Sequence, residues 1–210
     1  MSRYCSQCGK AKKACICQWI ESLASDVELI ILQHPSEEHR PLGTARILDL
    51  SLASCRLFIG EDFSQHAELN QLLGDESYLH WVLFPNEQAV TVEQVGQSDG
   101  GKMRRLRFIL LDGTWKKAFK IWQLSSNLQA LPCVQLPDNL TGNYRIRKSP
   151  SDNALSTVEA GFHILSYFQP ENDFTPLITA FDKMIEFQIA QMRRVCLNET
   201  IVSDSQIERC

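Results

Sequence analysis

The chain has 210 residues, 44% apolar and 22% charged, with eight cysteines and a formal charge of −4. That length fits one compact domain with an appendage, or at most two small domains, and the apolar content excludes a disordered chain. The N-terminus, MSRYCSQCGKAKKAC, lacks the apolar core of a secretory signal, and no apolar run approaches the roughly 20 residues of a membrane span, so a cytoplasmic protein is expected.

In a reducing compartment, clustered cysteines suggest a metal and scattered ones suggest core filling. Residues 1–22 read as a small head in which Cys5-x-x-Cys8 and Cys15-x-Cys17 supply four thiols. Two short-spaced pairs can wrap one tetrahedral ion, with Gly9 in the tight turn; this predicts a structural zinc knuckle, with a redox pair or unpaired thiols as alternatives. Four thiolates leave no open position, which argues against catalytic zinc. Lys10, Lys12 and Lys13 would partly offset the thiolate charge and could touch RNA phosphates.

Apolar runs then alternate with helix-period segments through residues 23–196. Strands are predicted at Val27–Gln33, Cys55–Ile59, Tyr78–Phe84, Arg105–Leu111 and Val134–Leu136, and helices at Thr44–Ala53, Ser64–Leu73, Ala154–Phe168 and Pro176–Val195. Thr91–Val95 is ambiguous, Gln97–Gly101 reads as a turn, and residues 197–210 read as a frayed, flexible tail. This alternation implies an α/β domain with a mostly parallel sheet and helices packed on it, in which ligands collect at the carboxyl ends of strands.

The stretch FILLDGTWKKAFKIW, residues 108–122, carries the strongest chemical signal. Asp112 leaves an apolar strand, Gly113 permits a turn, and Thr114 stands at the N-cap of a helix whose Trp115, Ala118, Phe119 and Trp122 are spaced as a core-facing stripe. Lys116, Lys117 and Lys120 oppose the helix dipole by roughly 0.3–1 kcal/mol each, which predicts a negative partner. On position alone, Asp112 is equally a second cap or an ion-pair partner. Two other basic windows, around the cysteines and at Arg145, Arg147 and Lys148, join Lys102 to Lys120. Together the three hold 14 of the 21 basic residues and one acid, leaving seven bases and 24 acids elsewhere. On one face they would suit a polyanion; apart, they are solvated surface charge. Tyr144 beside Arg145, Arg147 and Lys148 suits stacking and phosphate contact with an unpaired RNA base, or else forms an exposed ribbon edge.

Asp112-Gly113-Thr114-Trp115 resembles the D-x-T-W signature of the DTW-domain family of tRNA-uridine aminocarboxypropyltransferases. The resemblance extends to the cysteine head, His34-Pro35-Ser36-Glu37, Gly43-Thr44-Ala45-Arg46 and Ser156-Thr157-Val158-Glu159-Ala160, over roughly residues 3–195. Ala11-Lys12 between the cysteine pairs and Gly43 depart from the family pattern. The resemblance implies a SPOUT-like, knotted α/β fold with helices on both faces. It also implies transfer of the 3-amino-3-carboxypropyl group of S-adenosyl-L-methionine, as donor substrate, to N3 of a variable-loop tRNA uridine. That fits the absence of a G-x-G-x-x-G fingerprint after any predicted strand.

On this reading Asp112 is the catalytic residue, either taking the imide proton or orienting the base. His34, Thr44, Arg46, Gly113, Thr114, Trp115, Ser156, Thr157 and Glu159 line the donor and uridine pocket. Lys12, Lys13, Arg105, Lys116, Lys117, Lys120, Arg145, Arg147 and Lys148 meet tRNA. The plainer roles are helix capping for Ser156, Thr157 and Glu159, and a satisfied core group for His34. A methyltransferase using the same donor and a non-catalytic zinc-dependent RNA-binding module are the competing functions.

Overall fold

The computed structural model describes residues 3–95, 104–137, 140 and 155–207, with side chains through residue 191 of the last helix. Six strands, β1 (Glu28–Gln33), β2 (Cys55–Ile59), β3 (Tyr78–Leu83), β4 (Val90–Thr91), β5 (Arg105–Asp112) and β6 (Cys133–Gln135), form one sheet in the order β2-β1-β5-β3-β6-β4. Every pairing is parallel. The helices are α1 (Ala45–Ser51), α2 (Ala67–Leu73), α3 (Val92–Val95), α4 (Trp115–Leu124), α5 (Ser126–Gln129), α6 (Thr157–Phe168) and α7 (Thr175–Ile207).

Alternation along the central strands divides the core in two. Leu29, Ile31, Phe108 and Leu110 point to one face with α1, α3, α6 and α7, while Ile30, Leu32, Ile109 and Val82 point to the other with Leu69 of α2, Ile121 of α4 and Leu128 of α5. Burial on both faces explains why these strands are continuous apolar runs and not alternating ones. Right-handed crossovers then fix the topology: the chain leaves β1 through α1 toward one edge and β5 through α4 toward the other, on opposite faces. The carboxyl ends of β1 and β5 are therefore a switch point, the place where open parallel sheets bind their ligands.

Several sequence expectations are corrected. Ala118 and Ile121 form the buried side of α4, whereas Trp115 is 59% and Phe119 42% exposed. These two rings lie along the rim of the sheet, Trp115 parallel to Phe84 with centroids 5.4 Å apart. The ambiguous Thr91–Val95 stretch splits into the end of β4 and α3, and α5 is an additional short helix. The backbone of α7 is helical to Ile207. The Gln97–Gly101 turn, Ala154, Tyr144, Arg145, Arg147 and Lys148 lie outside the described residues.

The cysteine head packs into the same core, with Cys8 and Ile16 buried and α7 resting on both of its short 3-10 turns. No helix among the described residues is long and apolar enough to cross a membrane.

Candidate active site

Parallel register places Gln33 directly opposite Asp112 at the carboxyl end of the β1–β5 pair. Both are buried, Gln33 at 2% and Asp112 at 6% exposure. Gln33 Nε2 donates to Asp112 Oδ2 at 2.8 Å, and the Thr157 hydroxyl at the start of α6 donates to Asp112 Oδ1. The carboxylate thus bridges two strands and a helix.

The N-terminus of α6 is assembled around this aspartate. Ser156 and Glu159 form a capping box, with the Ser156 N–H donating to Glu159 Oε2 at 2.7 Å and the Glu159 N–H to Ser156 Oγ at 3.4 Å. Thr44 stands at the N-cap position of α1 without capping it; its hydroxyl accepts from the Val158 N–H at 3.3 Å and so caps α6. Gly161 lets α6 approach closely, since a Cβ there would lie 2.7 Å from Leu48 Cδ1. Gly113 serves a similar end: a Cβ would meet Lys117 Cβ at 2.9 Å, so its need is space at the strand-to-helix joint. Thr114 is the N-cap of α4 by backbone conformation but makes no side-chain cap.

His34 follows β1 with the extended backbone that Pro35 imposes. Its N–H donates to the Asp112 carbonyl at 3.0 Å, its Nε2 lies 2.6 Å from Glu61 Oε1, and its Nδ1 accepts from the Ser36 N–H at 3.2 Å. Both ring nitrogens are therefore engaged, and the side chain orients the loop between Asp112 and Glu61.

The negative partners expected for α4 come from the chain itself. Lys117 Nζ is 2.5 Å from Glu37 Oε1, and Lys120 Nζ is 2.7 Å from Glu61 Oε2. The hydrogen bond from Lys120, aided by the charges of Lys120 and His34, holds the Glu61 carboxyl below its ordinary range. Lys116 is exposed, as are Lys12 and Lys13 on the head. Arg46 is tied to Asp49 at 2.6 Å.

The basic residues of β5 do not surround Asp112. Arg105 begins the strand and Asp112 ends it, about 23 Å apart at ~3.3 Å per residue. Arg107 is buried near that far end, its NH2 2.8 Å from Glu28 Oε2 and its guanidinium 3.8 Å above the Tyr78 ring. Arg105 and Arg107 thus lie toward the opposite end of β5 from Asp112 and the lysines of α4.

In the head, Cys5 and Cys17 sulfurs lie 3.7 Å apart, those of Cys8 and Cys15 3.8 Å, and all four within 4.8 Å of one another. A tetrahedral ion with metal–sulfur bonds of about 2.3 Å requires sulfurs about 3.8 Å apart, so the set fits a closed four-thiolate centre. Gly9 takes the left-handed conformation at φ 69°, which brings its N–H to the Cys5 carbonyl. Backbone N–H groups of Cys8 and Gln7 pull the Cys5 thiol down to about 6, favouring the thiolate. The nearby Lys10 ammonium is buried and donates to the carbonyls of Arg40, Pro41 and Gly43 at 3.2, 2.8 and 3.0 Å. Burial draws its pKa down to about 8 against the opposing charges of Cys8 and Asp112. Lys10 therefore ties the head to the loop that carries Thr44.

A fully parallel sheet, a buried carboxylate at its switch point and a cluster of four cysteines that could hold a metal ion define an α/β protein built on an enzyme-like plan. The DTW domain matches residues 2–189, and the chain belongs to the DTW domain family. It is similar to tRNA-uridine aminocarboxypropyltransferase 2 of Drosophila melanogaster, 32% identical over 174 residues, which cover 78% of this chain and 67% of the relative. The Mus musculus protein of the same name is 29% identical over 202 residues, covering 93% and 66%, so the chain spans about two thirds of these relatives. tRNA-uridine aminocarboxypropyltransferase A of Arabidopsis thaliana is 22% identical over 212 residues, covering 88% of this chain and 80% of the relative. No solved structure matches.

Of the expected site residues, the structure brings Asp112, Gly113, His34, Thr44, Ser156, Thr157 and Glu159 to one rim, with Thr114 and Trp115 beside them. Gln33 and Glu61, which the sequence does not single out, also contact these residues or the loops that carry them, as do Lys10, read there only as a charge beside the cysteines, and Glu37, read there only as part of a motif. For Gln33 a signal existed, because it is the only polar side chain between Leu29 and the strand end.

Proposed function

We propose that this chain is a tRNA-uridine aminocarboxypropyltransferase, moving the 3-amino-3-carboxypropyl group of S-adenosyl-L-methionine to N3 of a tRNA uridine. One observation supports this above others: in a chain matched by the DTW domain almost throughout, the aspartate of Asp112-Gly113-Thr114-Trp115 is held by three elements at the sheet's switch point. The names of the relatives agree with it.

The reaction needs a weakly acidic imide to lose a proton and meet a carbon bound to a sulfonium. Asp112 receives the N3 proton, N3 forms a bond to the terminal methylene of the aminocarboxypropyl arm, and the carbon–sulfur electron pair returns to sulfur. The leaving group is neutral methylthioadenosine, so no acid is required there. The remaining work is positioning, so that this methylene and not the methyl faces N3. Thr44, Arg46 and the start of α6 at Ser156, Thr157 and Glu159 would hold the donor, with His34 and Gly113 shaping the entrance. Exposed Trp115 offers a stacking face to the RNA, and Lys12, Lys13 and Lys116 offer phosphate contacts.

Zinc is the ion this reading gives to Cys5, Cys8, Cys15 and Cys17, in a structural role, because four thiolates close its coordination shell. A SPOUT-like knot, a variable-loop target and a cytoplasmic location belong to the same proposal.

Incubation with tRNA and donor, followed by chromatography of the nucleoside by-product, tests it. Methylthioadenosine released only when tRNA is present supports the transfer. S-adenosylhomocysteine would mean methylation, and neither product despite tRNA binding would leave an RNA-binding module.

A further inference from the structure

Gln33 closes β1 opposite Asp112 and carries two donors on Nε2 and an acceptor on Oε1. Nε2 is committed to Asp112 Oδ2 at 2.8 Å, while Oε1 is buried and has no hydrogen-bond partner among the described residues. Turning the amide over would set its oxygen against a carboxylate oxygen, so Asp112 fixes which end is free. Buried acceptors are nearly always satisfied, and one left open beside a candidate catalytic carboxylate points to a ligand N–H.

We propose that Gln33 Oε1 accepts the N3–H of the target uracil and is the group that selects uridine over cytidine, an inference that rests on the transfer reaction above. The two pyrimidines differ at the atom to be alkylated. Uracil N3 carries a hydrogen; cytosine N3 presents a bare lone pair and is the better nucleophile at neutral pH. An enzyme relying on positioning alone would alkylate cytidine. With Oε1 facing N3, cytosine meets lone pair against lone pair, and Gln33 cannot adapt by turning over because Asp112 holds its N–H. Oε1 accepts the N3–H while the base docks; the proton then passes to the adjacent Asp112 carboxylate, and the N3 lone pair so exposed turns from Oε1 to the methylene, so selection and activation reside in one hydrogen-bonded pair.

The test uses the full chain with its metal and two tRNA transcripts, identical except for uridine or cytidine at the position the wild type modifies. Binding is measured by fluorescence anisotropy without donor, and product by single-turnover mass spectrometry. Sites built to hydrogen-bond a substrate group reject analogues lacking it strongly, so wild type should prefer uridine by about a thousandfold or more in kcat/KM. Gln33→Leu and the near-isosteric Gln33→Met should bring that ratio within about tenfold, leaving donor affinity and metal content unchanged. A folded Gln33→Leu or Gln33→Met protein with the wild-type ratio overturns the proposal, as does wild type binding both transcripts equally. Absence of product from either transcript would refute the transfer reaction instead, and the uridine-over-cytidine binding preference would still decide the role of Gln33.

Discussion

Thr157→Val isolates the positioning of Asp112. Valine matches threonine in shape and β-branching, so the main loss is the hydroxyl that donates to Asp112 Oδ1. A hydrogen bond to a charged group contributes about 1.5–3 kcal/mol, and Asp112 is only 6% exposed, so water replaces the lost donor poorly. If that energy serves to hold the carboxylate in its reacting position, single-turnover transfer should slow by about 10- to 150-fold. Lost from the folded state as well, it would lower Tm by about 3–12 °C, at roughly 2–4 °C per kcal/mol for a chain of this size. Thr157→Ser keeps the hydroxyl and should recover most of the rate. Wild-type rate and melting in Thr157→Val would refute the claim that α6 positions the aspartate.

Other perturbations reach different parts of the network. Lys10→Met leaves three carbonyls without their ammonium donor and should cost about 2–4 kcal/mol in denaturant unfolding, with earlier proteolysis near Arg40. Elemental analysis should find about one zinc per chain, and Cys8→Ser or a strong chelator should remove it and lower Tm, because Cys8 and Ile16 belong to the core. Burial holds His80 and His163 below the ordinary 6.5. Their unfolded forms therefore take up protons first, so stability should fall as pH drops through 6.5 toward the depressed folded values and level off below them; His80→Gln or His163→Gln should flatten that slope in pH-resolved melts. Trp115→Ala should leave melting nearly unchanged but weaken tRNA binding by about 5- to 150-fold, the worth of one stacked base at about 1–3 kcal/mol.

Much of the fold is legible in the chain because both faces of a parallel sheet are covered. Val27–Gln33 reads as a strand from local apolar density alone, and Asp112 can be placed at a strand exit because Phe108–Leu111 is uninterrupted. The aromatic side of α4 was misassigned because Trp115, Ala118, Phe119 and Trp122 satisfy helical spacing, while Ile121, lying between them, turns the buried stripe toward the sheet. Arg105 and Asp112 are neighbours in sequence but occupy opposite ends of an eight-residue strand. Carboxylates for Lys117 and Lys120 arrive from loops 80 and 59 residues earlier, a pairing no local window contains. Gln33 needed the β1–β5 register before its polarity had meaning.

The most direct test compares wild type with Asp112→Ala: tRNA incubated with donor, digested to nucleosides and weighed by mass spectrometry. The account predicts uridine bearing the aminocarboxypropyl group with wild type, and none with a folded Asp112→Ala protein that still binds tRNA. Equal product from both would contradict the role given to this carboxylate.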